Sequence, residues 1–206
     1  MIVDPEIEKY ILDLVPPRDE ILAEMEAEAQ LRSIPIVGPA VGALLAVLVL
    51  SSRAKRIFEL GSAIGYSTIW LARAAGPDAE VHYTDCSPDN AERAHGYLER
   101  AGLSGRVHIH VGDALTELGQ VKGEFDFIFN DVNKDGYPAV LSAAPGRLRP
   151  GGLLVSDNTL WHERVLKPAD STSRGVVEFN SNLFHSKEFM ACLVPLRDGL
   201  TLAVKR

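Results

Sequence analysis

Apolar and polar positions along this chain follow first a helical period and then an alternation of short strands and helices. Ile7, Tyr10, Ile11 and Leu14 recur at helical spacing, and Pro16-Pro17 stops the run. Asp19 to Arg32 is rich in Ala, Glu, Leu and Met and predicts a second helix. Pro39 suits the first turn of a third helix that runs to Leu50. From Arg56 the pattern changes. Ile57–Leu60, Val81–Thr84, Val107–Val111, Phe125–Asn130 and Leu153–Ser156 are short apolar runs that read as buried strands. Helices are predicted between them at Ser67–Ala75, Pro88–Ala101 (stopped by Gly102), Thr116–Val121 and Pro138–Leu148, with Arg149-Pro-Gly-Gly152 as a turn. The alternation predicts an α/β fold: a mostly parallel sheet with helices on both faces.

The end of the chain differs. Phe189–Leu196 and Leu200–Lys205 are apolar runs joined by Arg197-Asp198-Gly199, a hairpin signal. The sheet should therefore reach seven strands and close with an antiparallel hairpin. One domain is expected over residues 1–206, with 1–52 as an N-terminal helical cap or dimer face and 53–206 as the core. No internal repeat, low-complexity tract or linker interrupts it.

Composition narrows the picture in three ways. The 206 residues suffice for a substantial core. A net charge of −7 disfavours nucleic acid or an anionic membrane as the main partner. Two cysteines, Cys86 and Cys192, make no disulfide framework, so a reduced, cytoplasmic setting is expected. The start, Met1-Ile-Val-Asp-Pro-Glu6, is acidic and does not fit a signal peptide. Ile36–Leu50 is apolar but short of the ~18–20 residues of a membrane helix, and it reads as a buried helix.

Candidate chemistry collects at the carboxyl ends of the strands, where open parallel sheets bind ligands. Glu59-Leu60-Gly61-Ser62-Ala63-Ile64-Gly65-Tyr66-Ser67 joins the first strand to a helix; Gly61 allows a tight turn and Gly65 close backbone approach to a ligand. The spacing is not GxGxxG, so a ligand without a pyrophosphate fits better, and a nicotinamide cofactor is disfavoured. Asp85 ends the second strand where an acidic residue accepts from ribose hydroxyls, and Asp113, before Ala114, could accept from an adenine amino group. Cys86 is expected to pack near the adenine as a small buried residue. The alternative is that Asp85 and Asp113 only cap helices. Tyr66 either packs the turn or touches the ligand.

Asp131, Asp157 and Asn158 follow two predicted strands. Two carboxylates and an amide oxygen form a hard, all-oxygen set that suits Mg²⁺ or Ca²⁺. Lys134, three positions after Asp131, would lie beside any ligand on that metal. Read singly, the carboxylates could cap helices and Lys134 could be a solvated surface residue. Trp161 either walls a pocket or belongs to the core, and His162 is expected to be exposed. His108 and His110 share one strand face but lack a third ligand, so a structural role is expected. Glu163–Arg174 is polar, a candidate lid.

Taken together, these residues resemble the class I S-adenosylmethionine-dependent methyltransferases, and more narrowly the metal-dependent O-methyltransferases of catechol and caffeoyl-CoA type. The resemblance runs from about residue 36 to 206. It rests on Val37-Gly38 and Gly42, Glu59-Leu60-Gly61 with Gly65-Tyr66-Ser67, Ser87-Pro88, Asp131-x-x-Lys134, Leu148–Gly152, Asp157-Asn158, Leu160-Trp161, Glu178-Phe179-Asn180 and Asp198–Leu202.

The resemblance implies a Rossmann-like fold. It implies a methyl donor, S-adenosylmethionine, bound on Val37, Glu59, Gly61, Gly65, Ser67, Asp85, Cys86, Asp113, Ala114 and Asp131. It further implies a divalent cation (Mg²⁺ first, Ca²⁺ or Mn²⁺ otherwise) on Asp131, Asp157 and Asn158, with Lys134 as the catalytic residue and Trp161 against the substrate. The acceptor would be a small catechol-type diol, and the protein a homodimer. Some bacterial relatives methylate a modified tRNA wobble uridine, which makes tRNA the alternative acceptor; a non-catalytic donor-binding protein is a third reading. Asp131-Val-Asn-Lys134 stands where the caffeoyl-type motif has Asp-Ala-Asp-Lys, Ala43 where a glutamine is common, and Val177 where an arginine is common. The last two departures count against the family's usual acceptor set, particularly a bulky CoA ester.

Overall fold

The structure is a computed structural model that describes residues 3–206. Three helices, α1 (Pro5–Leu14), α2 (Glu20–Arg32) and α3 (Gly38–Ser52), precede the sheet. Then come β1 (Arg56–Leu60), α4 (Tyr66–Ala75), β2 (Glu80–Asp85), α5 (Pro88–Arg100), β3 (Val107–Val111), α6 (Ala114–Gln120), β4 (Phe125–Asn130), α7 (Tyr137–Ala143), β5 (Leu148–Ser156), α8 (Ser171–His185), β6 (Phe189–Val194) and β7 (Leu200–Lys205). The strands form one sheet of seven in the order β3-β2-β1-β4-β5-β7-β6, parallel from β3 to β5 and antiparallel through β7 and β6. The expected sheet, including its closing hairpin, is what the chain builds. The order reverses between β1 and β4, the crevice where such sheets bind ligands.

Alternation of side chains puts one apolar cluster on each face. Ile57, Val81, Tyr83, Phe127, Phe129 and Val155 pack under α3, α4 and α5, while Phe58, Leu60, Ile128 and Leu154 pack under α6, α7 and α8. Phe125 and Phe127, two apart on one strand, nevertheless face opposite clusters. The β4–β5 register shifts between them, and that irregularity turns the strand over. The same feature corrects the predicted turn at Arg149–Gly152. That stretch lies inside β5, because Leu148 already pairs with Phe125.

Two helices also depart from the predicted pattern. The run predicted at Pro138–Leu148 ends at Ala143, and Pro145 opens a separate 3₁₀ turn, since proline brings no N–H to continue the ladder. The polar stretch Glu163–Arg174 is not wholly loop. Asp170 caps α8 by accepting from Ser173 N at 2.8 Å, so the helix begins at Ser171.

α8 packs hard against the loop after β4. A Cβ on Gly175 would lie 2.5 Å from the carbonyl oxygen of Lys134. Only glycine allows that approach. At the other end, α2 is held over α4 and α5 by polar ties: Tyr66 donates to Glu26 at 2.7 Å, Tyr97 to Glu28 at 2.5 Å, and Arg100 to Glu24 at 2.9 Å. Tyr66 therefore packs the turn and anchors α2. In contrast, α1 buries none of its side chains, and Ile7, Tyr10 and Leu14 remain exposed. Among the described residues, no helix is long and apolar enough to cross a membrane.

Gly175→Ala is expected to cost about 1–3 kcal/mol through overpacking, although alanine is the better helix former. Chemical denaturation measures this. A variant as stable as the parent would show that α8 does not press on the Lys134 backbone.

Candidate functional site

The strand ends are held level by backbone hydrogen bonds that continue the ladders past the sheet. Asp131 N donates to Leu60 O at 2.8 Å, Asp157 N to Asn130 O at 3.0 Å, Ser62 N to Thr84 O at 2.9 Å and Gly112 N to Asp85 O at 3.0 Å. The residues that follow β1, β2, β3, β4 and β5 are thus fixed side by side. Gly61 makes the tightest of these junctions. Its φ is +81°, and a Cβ there would meet Asp131 O at 2.7 Å.

Beyond β4 and β5 the predicted acidic group assembles. Lys134 is buried, and its Nζ donates to Asp131 Oδ1 at 2.6 Å and to Val132 O at 3.2 Å. The same ammonium lies 5.1 Å from the centre of the Tyr137 ring and 5.6 Å from that of Trp161. Asp157 is fully buried, whereas Asp131 keeps 25% of its side chain open to solvent. Burial pushes the Asp157 carboxyl up to about 7, with the nearby charge of Asp131 adding to the rise and Arg197 and Lys134 opposing it. Burial raises Asp131 as well, against the pull of Lys134 and, more weakly, Arg197. Only Asp131 pairs directly with the ammonium; Asp157 feels it at longer range.

This is the observation on which a divalent cation is tested, and the residues fit one. Asp131 Oδ2, Asp157 Oδ2 and the Asn158 side chain accept no hydrogen bond among the described residues. Asn158 sits at φ +52°, a left-handed conformation that asparagine tolerates. The set is two carboxylates plus an amide. No cluster of three or more His, Cys, Asp or Glu side chains is placed to hold a metal among the described residues.

The surroundings hold this group rigid. Tyr137 OH donates to Asp157 O at 2.6 Å, and its ring meets Phe179 of α8 edge-on at 5.2 Å. Asn180 of α8 donates to Thr159 O at 2.8 Å. Asp198, from the β6–β7 turn, accepts from His162 N at 2.5 Å and fixes the loop that carries Trp161. Trp161 is half-buried, packs against the cluster under α8 and donates to Thr172 Oγ1 at 3.1 Å. It is both pocket wall and core edge. Its neighbour His162 is exposed, as predicted.

The glycine-turn side is arranged differently. Glu59 is buried on β1, and burial lifts its carboxyl to about 7 against the hydroxyls of Ser67, Thr68 and Ser62. Thr68 donates to Glu59 Oε2, while Oε1 is buried with no hydrogen-bond partner among the described residues. That orphan acceptor faces a need for a donor from outside the chain. Asp85 ties the turn to β2: it accepts from Ala63 N at 2.9 Å, Ser87 N at 2.8 Å and Asn90 Nδ2 at 3.1 Å. Asp113 caps α6 by accepting from Thr116 N at 2.9 Å. Ala114 and Ser67 are buried beside their helix starts, and Val37 is buried at the start of α3. One expectation needs correction. Cys86 is exposed, with Sγ 3.2 Å from Gly112 O, because β2 ends one residue earlier and the chain bends outward. A Cβ on Gly65 would meet Ala94 Cβ at 3.1 Å, so its missing side chain admits α5.

His108 and His110 gain a third member that the strand pattern alone did not reveal. His82 lies opposite His108 on β2; its ring stacks on His108 at 5.1 Å, and its Nδ1 is 2.9 Å from His110 Nε2. Glu80 Oε1 is 2.7 Å from His82 Nε2. Burial pushes His82 down to about 4, against the pull of Glu80.

The sequence pattern of the O-methyltransferase family matches residues 17–206. The catechol O-methyltransferase of Niastella koreensis is 33% identical over 96% of this chain and 96% of its own length. Caffeoyl-CoA O-methyltransferase 3 of Nicotiana tabacum is 33% identical over 78% of this chain and 72% of its own. The crystal structure of the O-methyltransferase from Bacillus cereus in complex with SAH superposes with a TM-score of 0.89, at 30% identity over 98% of this chain and 97% of that one.

The buried His82 sets a pH dependence. Its folded pKa of about 4 lies below the unfolded value of 6.5, so the unfolded chain binds more protons between the two. Its contribution is complete above pH ~6.5 and is lost as pH falls towards ~4, on the order of 3 kcal/mol. Thermal unfolding at pH 7.5 and 5.0 checks this. Acidification is expected to lower Tm more in the parent than in His82→Phe; equal losses would contradict it.

Proposed function

The chain belongs to the O-methyltransferase family, and from that premise we propose that it transfers the methyl group of S-adenosylmethionine to one hydroxyl of a small catechol-type acceptor, with a divalent cation held by Asp131, Asp157 and Asn158. The observation that carries this reading is the convergence of the buried Asp157, the half-buried Asp131, an unpartnered amide and one ammonium beyond β4 and β5. A bound divalent cation, Mg²⁺ in the first instance, would supply Lewis acidity and a template for two adjacent hydroxyls.

The chain's own residues do the rest. A phenolic hydroxyl titrates near ~10 and is a weak nucleophile at neutral pH. Lys134, fixed by Asp131 and by the rings of Tyr137 and Trp161, takes its proton when in the neutral amine form or, as the ammonium, holds the oxyanion. Tyr137 stays protonated, because burial and the surrounding carboxylates push its phenol well up, so it keeps donating to the Asp157 backbone. On the other side of the crevice, the Gly61–Gly65 turn, Glu59 and Asp85 provide the donor's seat. The buried Glu59 Oε1 is an acceptor waiting for a donor group, the chemistry a cationic amino acid moiety offers. Asp113 and Ala114 close that side at the start of α6. Methyl transfer leaves the acceptor as a monomethyl ether and the donor as S-adenosylhomocysteine. Holding both reactants in line supplies on the order of 7–11 kcal/mol of the barrier reduction.

The test is methylation of a catechol panel with S-adenosylmethionine and Mg²⁺, read by mass spectrometry. A chelator is expected to abolish product formation. Lys134→Ala is expected to lower kcat by about 100-fold or more while donor binding persists. Full activity after chelation would remove the cation from the account. Absence of product from every catechol, with donor bound, would transfer the reading to another acceptor.

A further inference from the structure

The histidines of β2 and β3 belong to a polar chain that crosses β1, β2, β3 and α6, and its hydrogen-bond logic leaves one proton missing. Arg56 donates to Glu80 Oε2 at 2.9 Å and holds that carboxyl below its ordinary range. Glu80 is therefore ionised and can only accept, so His82 Nε2, 2.7 Å from Glu80 Oε1, carries a proton. Burial pushes His82 down to about 4, so the ring is neutral near pH 7 and its Nδ1 is bare. The proton between the two rings must then sit on His110 Nε2, 2.9 Å from that Nδ1. A neutral His110 thus turns a bare Nδ1 towards Glu117 Oε2, 3.6 Å away. Two acceptors face each other there. One added proton turns that contact into an ion pair.

Glu117 is placed to transmit that proton to the end of β3. Its Oε1 lies 2.9 Å from where a Cβ on Gly112 would stand, and its backbone N–H donates to Asp113 O at 2.9 Å. Gln120 donates to the same Oε1 at 3.5 Å. Facing His110 among the described residues are Glu117 from α6, His108 from its own strand, Phe58 of β1 at 6.2 Å between ring centres, and His82 of β2 with Glu80 and Arg56 behind it. Burial lowers His110, with Glu117 opposing and His108 adding to the fall. We propose that His110 and Glu117 form a proton-operated latch: a proton on His110 Nδ1 draws Glu117 in, fixes α6 to the end of β3, and makes the Gly112–Ala114 junction hold the methyl donor more tightly in mild acid. The inference rests on the donor reading above, which seats the donor against Asp113 and Ala114, and adds its regulation. The coupling is reciprocal, so donor binding raises the proton affinity of His110. Its window lies below the ordinary imidazole value of 6.5 and above about 4, where His82 itself takes a proton and the chain of donors reverses.

The experiment is titration calorimetry of the full chain with S-adenosylhomocysteine at pH 7.5 and 5.8, each in two buffers of different ionisation enthalpy. Glu117→Gln is the reference, because its amide can donate to the bare His110 Nδ1 without a proton. Comparison with it cancels the titrations of the ligand's amino group and of Glu59. The ratio of Kd at pH 7.5 to Kd at pH 5.8 is expected to be about fivefold larger in the parent than in Glu117→Gln, with more protons taken up on binding by the parent. His110→Phe, which removes the titrating ring, should match Glu117→Gln in that ratio. Imidazole nitrogen NMR of the parent at pH 7.5 should find both His82 and His110 protonated at Nε2. Equal Kd ratios and equal proton uptake in parent and variants would overturn the latch and leave the donor reading standing. So would a neutral His110 protonated at Nδ1. Absence of binding at both pH values, in parent and variants alike, would strike the donor reading and the latch with it.

Discussion

Two carboxylates brought together beyond the strand ends, with one ammonium paired to Asp131, constrain the rest of this structure. Asp131 and Asp157 cannot separate, because their backbone N–H groups are bonded into the ladders through Leu60 O and Asn130 O. Asp157 is fully buried and Asp131 partly so, with the rings of Tyr137 and Trp161 against the Lys134 ammonium. Lys134 relieves part of the repulsion by pairing with Asp131 and leaves Asp157 with a backbone donor alone at close range. Retaining two such carboxylates is costly unless a cation completes the charge balance. On the proposed reading a divalent cation would complete that balance, with Lys134 as its partner rather than its substitute.

The scaffold spends its helices on keeping that group in place. α8 touches it three times: Gly175 lets the helix press on the Lys134 backbone, Phe179 packs Tyr137, and Asn180 holds the loop after β5. The closing hairpin contributes from the other side, through Asp198 to the Trp161 loop and Arg197 to the start of α3. The C-terminal hairpin therefore does more than complete the sheet. It links the helices before β1 to the site beyond β5.

Much of this was legible in the sequence, and the reasons are local. Each parallel strand is a short apolar run ended by a glycine or an acidic residue, so the sheet could be read and the candidate site placed at its strand ends. Asp131 and Lys134, three apart, and the adjacent Asp157-Asn158 carried the site. What escaped depended on distant contacts. α8 was missed because its first turn, Ser171-Thr-Ser-Arg174, is polar, although Val176, Phe179 and Leu183 repeat at helical spacing and were a usable signal. The flip within β4 arises from pairing with Leu148, which no pattern in Phe125–Asn130 announces. Arg197 finds its partners at Ile36 and Val37, some 160 residues earlier in the chain. Cys86 was placed inside by its residue type, but the bend after Asp85 turns it to solvent.

Crystallography of the protein grown with Mn²⁺, with the ion located by its anomalous scattering, decides whether these residues hold a cation. A single strong peak bounded by oxygens of Asp131, Asp157 and Asn158 is expected, lost in Asp157→Asn. An empty site at saturating Mn²⁺, or a peak bound elsewhere in both proteins, would contradict it.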